Sequence, residues 1–174
     1  MDAVESVQNQ NKPKLRLSQI NPKSVPNVIF QNQTIDVFVY EVFDGDTIHF
    51  LLDIGQAEPL KLALRMLGID TPEIHAGKDK LPEEKVAAKI AKEYLKSLVQ
   101  GHTKIRITDW DKFGSRVLGE VMLADGQTAN QMMIKGGYAR PYHGEKKEPW
   151  TLKELTSAPF NVTSRDIDLF VEEN

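Results

Sequence analysis

Asp46, Asp70 and Glu73 fall at the ends of two predicted strands that neighbour each other in a meander, so three carboxylates can converge on one point. Carboxylates brought that close repel unless a proton or a cation intervenes. An all-oxygen set selects a hard ion such as Ca2+ or Mg2+ over zinc or copper. Two arginines flank the acids. Arg65 lies on the strand that runs into Asp70, and Arg116 starts the strand after Asp111-Lys112-Phe113-Gly114-Ser115. A guanidinium grips a phosphate through two parallel hydrogen bonds and stays charged at any working pH. A pair of them with a divalent ion can stabilise the extra charge of five-coordinate phosphorus. Each residue also has a plainer reading. Asp44 and Asp46 can shape a turn, Asp70 can cap the turn containing Pro72, Arg65 can pair with an acid, and Arg116 can be an exposed hairpin charge.

These side chains need a frame. Thr34 to Phe43 is β-branched and aromatic with partial alternation, which predicts a strand. Asp44-Gly45-Asp46 makes a tight turn, with Gly45 able to take positive φ. Thr47 to Asp53 is the returning strand, and Leu60 to Ile69 a third. Pro82-Glu83-Glu84 opens a helix, with Pro at the first position and acids at the positive end of the dipole. Val86, Ile90, Tyr94 and Leu98 predict its buried face and Gly101 its stop. Leu67 is expected in the core with Val86 and Ile90. Lys104 to Thr108 and Val117 to Leu123 predict a hairpin, and Thr128 to Lys135 a short helix. Five short antiparallel strands with a helix after the third predict a closed oligonucleotide/oligosaccharide-binding (OB) barrel, α+β in class.

Composition bounds the alternatives. Residues 1–27 are rich in Gln, Asn, Lys and Pro and predict a flexible arm; residues 28–149 form the domain, and the acidic stretch 150–174 predicts an appended tail. With no cysteine, disulfides, thiolate zinc sites and Cys nucleophiles are excluded. A net charge of −3 argues against a protein that coats nucleic acid through many Lys and Arg contacts. No apolar h-region follows the N-terminus and no run is long enough to span a bilayer, so a cytoplasmic protein without a membrane partner is expected.

Asp44-Gly45-Asp46-Thr47, Arg65 to Glu73 with its Asp-Thr-Pro-Glu signature, and Asp111-Lys112-Phe113-Gly114 with Arg116 together resemble the staphylococcal nuclease family, over about Thr34 to Tyr142. The resemblance implies a metal-dependent nuclease of low specificity, acting on DNA and possibly RNA and leaving 3′-phosphates. It implies Ca2+, with Mg2+ also fitting the donor types, held by Asp46, Asp70 and the backbone carbonyl of Thr71. Glu73 would orient or deprotonate the attacking water, Arg65 would hold the scissile phosphate, and Arg116 would stabilise transition-state charge. Lys112 would contact phosphate and Tyr142 would stack on a base. The chain departs from the family in two places: Ser115 stands where the second Arg is usual, which transfers that role to Arg116, and Phe113 replaces a Tyr. A monomer is expected. The rival reading is an OB-fold module that binds nucleic acid or a partner with weak or no catalysis.

Overall fold

The computed structural model describes residues 21, 30–74, 81–99, 101–112 and 115–173. The expected arm 1–27, apart from Asn21, and the Phe113 substitution lie outside them.

Five strands close a barrel in the order β1-β2-β3-β6-β5: β1 (Gln33–Asp44), β2 (Thr47–Leu52), β3 (Leu60–Met66), β5 (Gly101–Trp110) and β6 (Arg116–Met122). The interior is filled from alternate positions, which bury Val37, Val39, Ile48, Phe50, Leu62, Leu64, Ile105, Ile107, Val117 and Val121. The barrel is not wholly antiparallel. It closes through a parallel pairing of β3 with β6, in which Ala63 faces Arg116 and Arg65 faces Leu118. Arg65 and Arg116 therefore point outward from adjacent strands on the same face.

The third strand is shorter than predicted. It ends at Met66, and Gly68 takes φ +78, a left-handed conformation open to glycine at little cost. The chain resumes as β4 (Ile69–Asp70), which leaves the barrel to pair with β7 (Arg140–Pro141). The break redirects the strand end, and Asp70 lies opposite Arg140.

Helix α1 (Pro82–Leu98) packs across β1. Its deepest residues are Ala87, Ala88, Ala91 and Leu95 along with Val86, while Ile90, Tyr94 and Leu98 are only partly buried. The four-residue spacing identified one edge of the stripe, because the centre is built from alanines that let the helix approach closely. Helix α1 stops at Leu98, and Gly101 opens β5 rather than ending the helix. Leu67, expected in the core, is half-buried and lines a surface cleft. Helix α2 (Ala129–Lys135) starts at a capping box in which Thr128 and Gln131 satisfy each other's backbone N–H.

The segment after Glu148 differs from the tail that its acidity suggested. It forms α3 (Leu152–Thr156) and α4 (Ser164–Glu173), and it sends Trp150, Leu155, Phe160 and Val162 into the core. Its acids serve helix starts, with Glu154 accepting from Thr151 N and Asp166 from Thr163 N. Among the described residues no helix is long and apolar enough to cross a membrane.

Candidate functional site

The β1–β2 turn brings the first acid into place. Gly45 does not take positive φ. It is required for space, because a Cβ there would stand 2.9 Å from Thr71 Oγ1 and 3.1 Å from the Ala91 side chain. This close approach presses the Asp44–Asp46 turn against the loop after β4. Asp46, 3% exposed, accepts from Thr47 Oγ1 at 2.8 Å and is gripped by the Arg65 fork, Nη1 to Oδ1 at 3.0 Å and Nη2 to Oδ2 at 2.8 Å. Burial pushes its carboxyl above the ordinary range, and the opposing pull of Arg65 does not cancel that effect. Asp44, read above as a turn former, belongs to the same group of charges. Burial raises it to about 6, with Asp46 and Glu73 adding repulsion.

Asp70 and Glu73 complete the acidic group, and both are bound to a lysine. Lys147 Nζ lies 2.7 Å from Asp70 Oδ1 and 2.7 Å from Glu73 Oε1. The other Asp70 oxygen accepts from Arg140 Nη2 at 2.8 Å. Arg140 is itself held by the carbonyls of Glu148 and Pro149 and lies over the Trp150 ring, 4.1 Å from its centroid. Burial alone would lower the Lys147 pKa, but its hydrogen bonds to Asp70 and Glu73 hold it above the usual lysine range.

The arginines meet in a neighbouring cleft of about 530 Å³, lined by Arg65, Asp111, Lys112, Arg116, Tyr142 and His143 among others. Arg116 is oriented by Asp111, whose Oδ2 accepts from its Nε at 2.6 Å. Lys112 is exposed at the rim. Tyr142 is half-buried there, anchored by its N–H to the Gly68 carbonyl at 3.0 Å. Tyr138 instead stacks on Tyr94, with centroids 4.0 Å apart, and is packed between helices.

The eight residues singled out from the sequence thus lie in two adjoining places. Asp46, Asp70, Thr71 and Glu73 form an acidic pocket, while Arg116, Lys112 and Tyr142 line the cleft. Arg65 borders both. Over residues 63–167 the chain matches the staphylococcal nuclease homologue family. It belongs to that family.

Its relatives include an uncharacterized endonuclease of Escherichia coli, 32% identical over 113 residues, or 64% of this chain and 63% of the relative. Another is endonuclease YhcR of Bacillus subtilis (strain 168), 32% identical over 111 residues, 60% of this chain and 9% of the relative. The chain therefore spans somewhat under two thirds of the E. coli relative and a small part of the B. subtilis one.

Several supporting residues carried no motif. Asn130, buried on α2, donates to the Leu67 carbonyl at 2.7 Å and accepts from Val121 N at 3.2 Å, fixing the β3–β4 break to β6. Glu84, 2% exposed in the first turn of α1, accepts from the Glu73 backbone at 3.4 Å rather than serving only the helix dipole. Arg140 and Lys147 close the acidic pocket, although Lys146-Lys147 reads in the sequence as a phosphate-attracting loop or a solvated pair. Only their long-range partners distinguish them.

The carboxylates of Asp46, Asp70 and Glu73 are oxygen donors of the type that would suit a hard cation. Asp70 and Glu73 already share the Lys147 ammonium, while Asp46 is paired with Arg65. As the side chains stand, among the described residues no three acid or imidazole groups are close enough to share an ion. Loading a cation therefore calls for a local rearrangement of these side chains.

Proposed function

We propose that the protein is a metal-dependent nuclease of low sequence specificity that hydrolyses phosphodiester bonds of DNA, and RNA as a second substrate, leaving 3′-phosphates. The observation that carries this reading is the position of Arg65, shared between the acidic pocket and the two-arginine cleft. A phosphate gripped by Arg65 would lie beside the carboxylates, where water can be activated. The relatives named endonucleases support the reaction class.

Asp46, Asp70 and the Thr71 carbonyl would hold the ion, Ca2+ by family precedent. When bound, the ion would supply Lewis-acid charge to the scissile phosphate. Glu73, at the solvent edge of the pocket, would take a proton from the attacking water or orient it. Arg65 would bind the phosphate in line. Arg116, pre-aimed by Asp111, would offset charge that develops on the equatorial oxygens. Lys112 would attract the backbone and Tyr142 would stack on a base.

Two observations favour the binding-module reading: Asp70 and Glu73 hold an ammonium, and Asp111 already engages Arg116. The two readings separate when plasmid, single-stranded DNA and RNA are digested with Ca2+, with Mg2+ and with chelator. Cleavage that needs the divalent ion, and that falls far more in Arg116→Ala than in Ser115→Ala, is expected. Binding without cleavage under every metal condition would establish the module.

A further inference from the structure

Among the described residues, Lys147 contacts two of the acids assigned above to the metal and the water. Its Nζ stands 2.7 Å from Asp70 Oδ1 and 2.7 Å from Glu73 Oε1. Arg140 occupies the remaining oxygen of Asp70. Both oxygens of that carboxylate therefore face positive donors, and an ion shared by Asp70 and Glu73 would have to stand where the ammonium now does. Two like charges within a few ångström also repel strongly in a half-buried site.

We propose that Lys147 is an internal competitor for the divalent cation, occupying the pocket in the metal-free protein and yielding it when metal binds. This rests on the metal-site reading above.

The local structure suits such an exchange. Asp70, the shared acid, is 5% exposed and held on β4 by pairing with β7, so the pocket is fixed in place. Lys147 is not. Its side chain is 34% exposed, on a connecting segment between β7 and α3 that has no regular secondary structure. A lysine stem is long and flexible, and the ammonium keeps its partial solvent access as it gives up the two ion pairs. Arg140, by contrast, is anchored by two backbone carbonyls and the Trp150 ring. It stays as a fixed partner of Asp70 while Lys147 leaves. The exchange replaces a single charge by a double one among Asp44, Asp46, Asp70 and Glu73. In the resting state the ammonium also relieves repulsion among those acids, which lets the pocket fold without metal.

Removing the competitor therefore tightens metal binding. Calorimetric titration of Ca2+ into the full chain, compared with Lys147→Met and Lys147→Arg, tests this, with Asp70→Asn marking the site. Lys147→Met should bind Ca2+ roughly tenfold more tightly, and Lys147→Arg no more tightly than the parent. Melting curves provide a second readout: Lys147→Met should melt lower than the parent in chelator and gain more from Ca2+. Binding that is abolished by Asp70→Asn yet unchanged or weakened by Lys147→Met would overturn the competitor role alone. Failure of both the parent and Lys147→Met to bind Ca2+ would overturn the metal site and the competitor together.

Discussion

Asp44 shows how a single residue changes meaning once its neighbours are in place. In sequence it is half of an Asp-Gly-Asp turn, and its Oδ1 does accept from Gly45 N at 2.9 Å. In the fold it is half-buried beside Asp46 and Glu73, and its carboxyl is raised from 3.8 to about 6. A carboxyl raised on folding binds more protons in the native than in the unfolded chain between those values, so stability falls as pH rises through that window. The full shift corresponds to about 3 kcal/mol, and solvent screening should reduce it to about 1–2 kcal/mol. In chelator, the parent should therefore lose stability relative to Asp44→Asn between about pH 4 and 6, with the difference flat above pH 7. Denaturant titrations at a series of pH values measure it. A difference with the opposite slope would show that Asp44 is stabilised as an anion. The same logic explains why pocket residues were only partly legible in the sequence. Acids and arginines at strand ends announce themselves by type, but Glu84, Arg140 and Lys147 give no sign of their partners until the fold reveals what they touch.

At the scale of elements, the site depends on the interruption between β3 and β4. Alternation alone reads Leu60 to Ile69 as one strand, although Gly68, at φ +78, is the local mark of the break. Asn130 fixes it, from a helix more than sixty residues away. Replacing it with Ala would leave the buried Val121 N–H and the half-buried Leu67 carbonyl short of partners, a loss of about 1–3 kcal/mol. Urea unfolding of Asn130→Ala should show that loss. A change below about 0.5 kcal/mol would mean that water or a backbone shift replaces the side chain. The same limit of local reading applied to α1. Periodic large residues predicted a helix correctly, but the contact face is the alanine stripe, whose role depends on the glycine of the opposing turn.

At the scale of the whole molecule, the barrel topology was legible because strand alternation, turn residues and the inserted helix all pointed to the same architecture. The parallel β3–β6 closure was not, since pairing between strands far apart in sequence leaves no local trace. The C-terminal stretch reads as a tail because its charged residues are mostly acidic, yet Trp150, Leu155, Phe160 and Val162 enter the core and Ile167 and Phe170 pack against it. Trp150, Leu155, Phe160 and Val162 are each at most 7% exposed. Burying such side chains contributes about 1.5–3 kcal/mol apiece, which together rivals the entire stability of about 5–15 kcal/mol expected of a domain. A chain ending at residue 149 should therefore be largely unfolded at 37 °C by circular dichroism, and would also lose the Trp150 support under Arg140. A truncated chain with native melting behaviour would instead show the two helices to be dispensable.

We propose that the acidic pocket and the arginine cleft act as one phosphodiester-cleaving centre through Arg65 and Glu73. The most direct measurement is the single-turnover rate of cleavage of a single-stranded oligonucleotide in saturating Ca2+, for the parent, Arg65→Ala and Glu73→Gln. Each substitution should slow cleavage by at least about 10²–10³-fold, the scale on which lost charge stabilisation or lost proton transfer is felt, with 3′-phosphate ends on the remaining product. Parent-like rates in both variants would contradict the account.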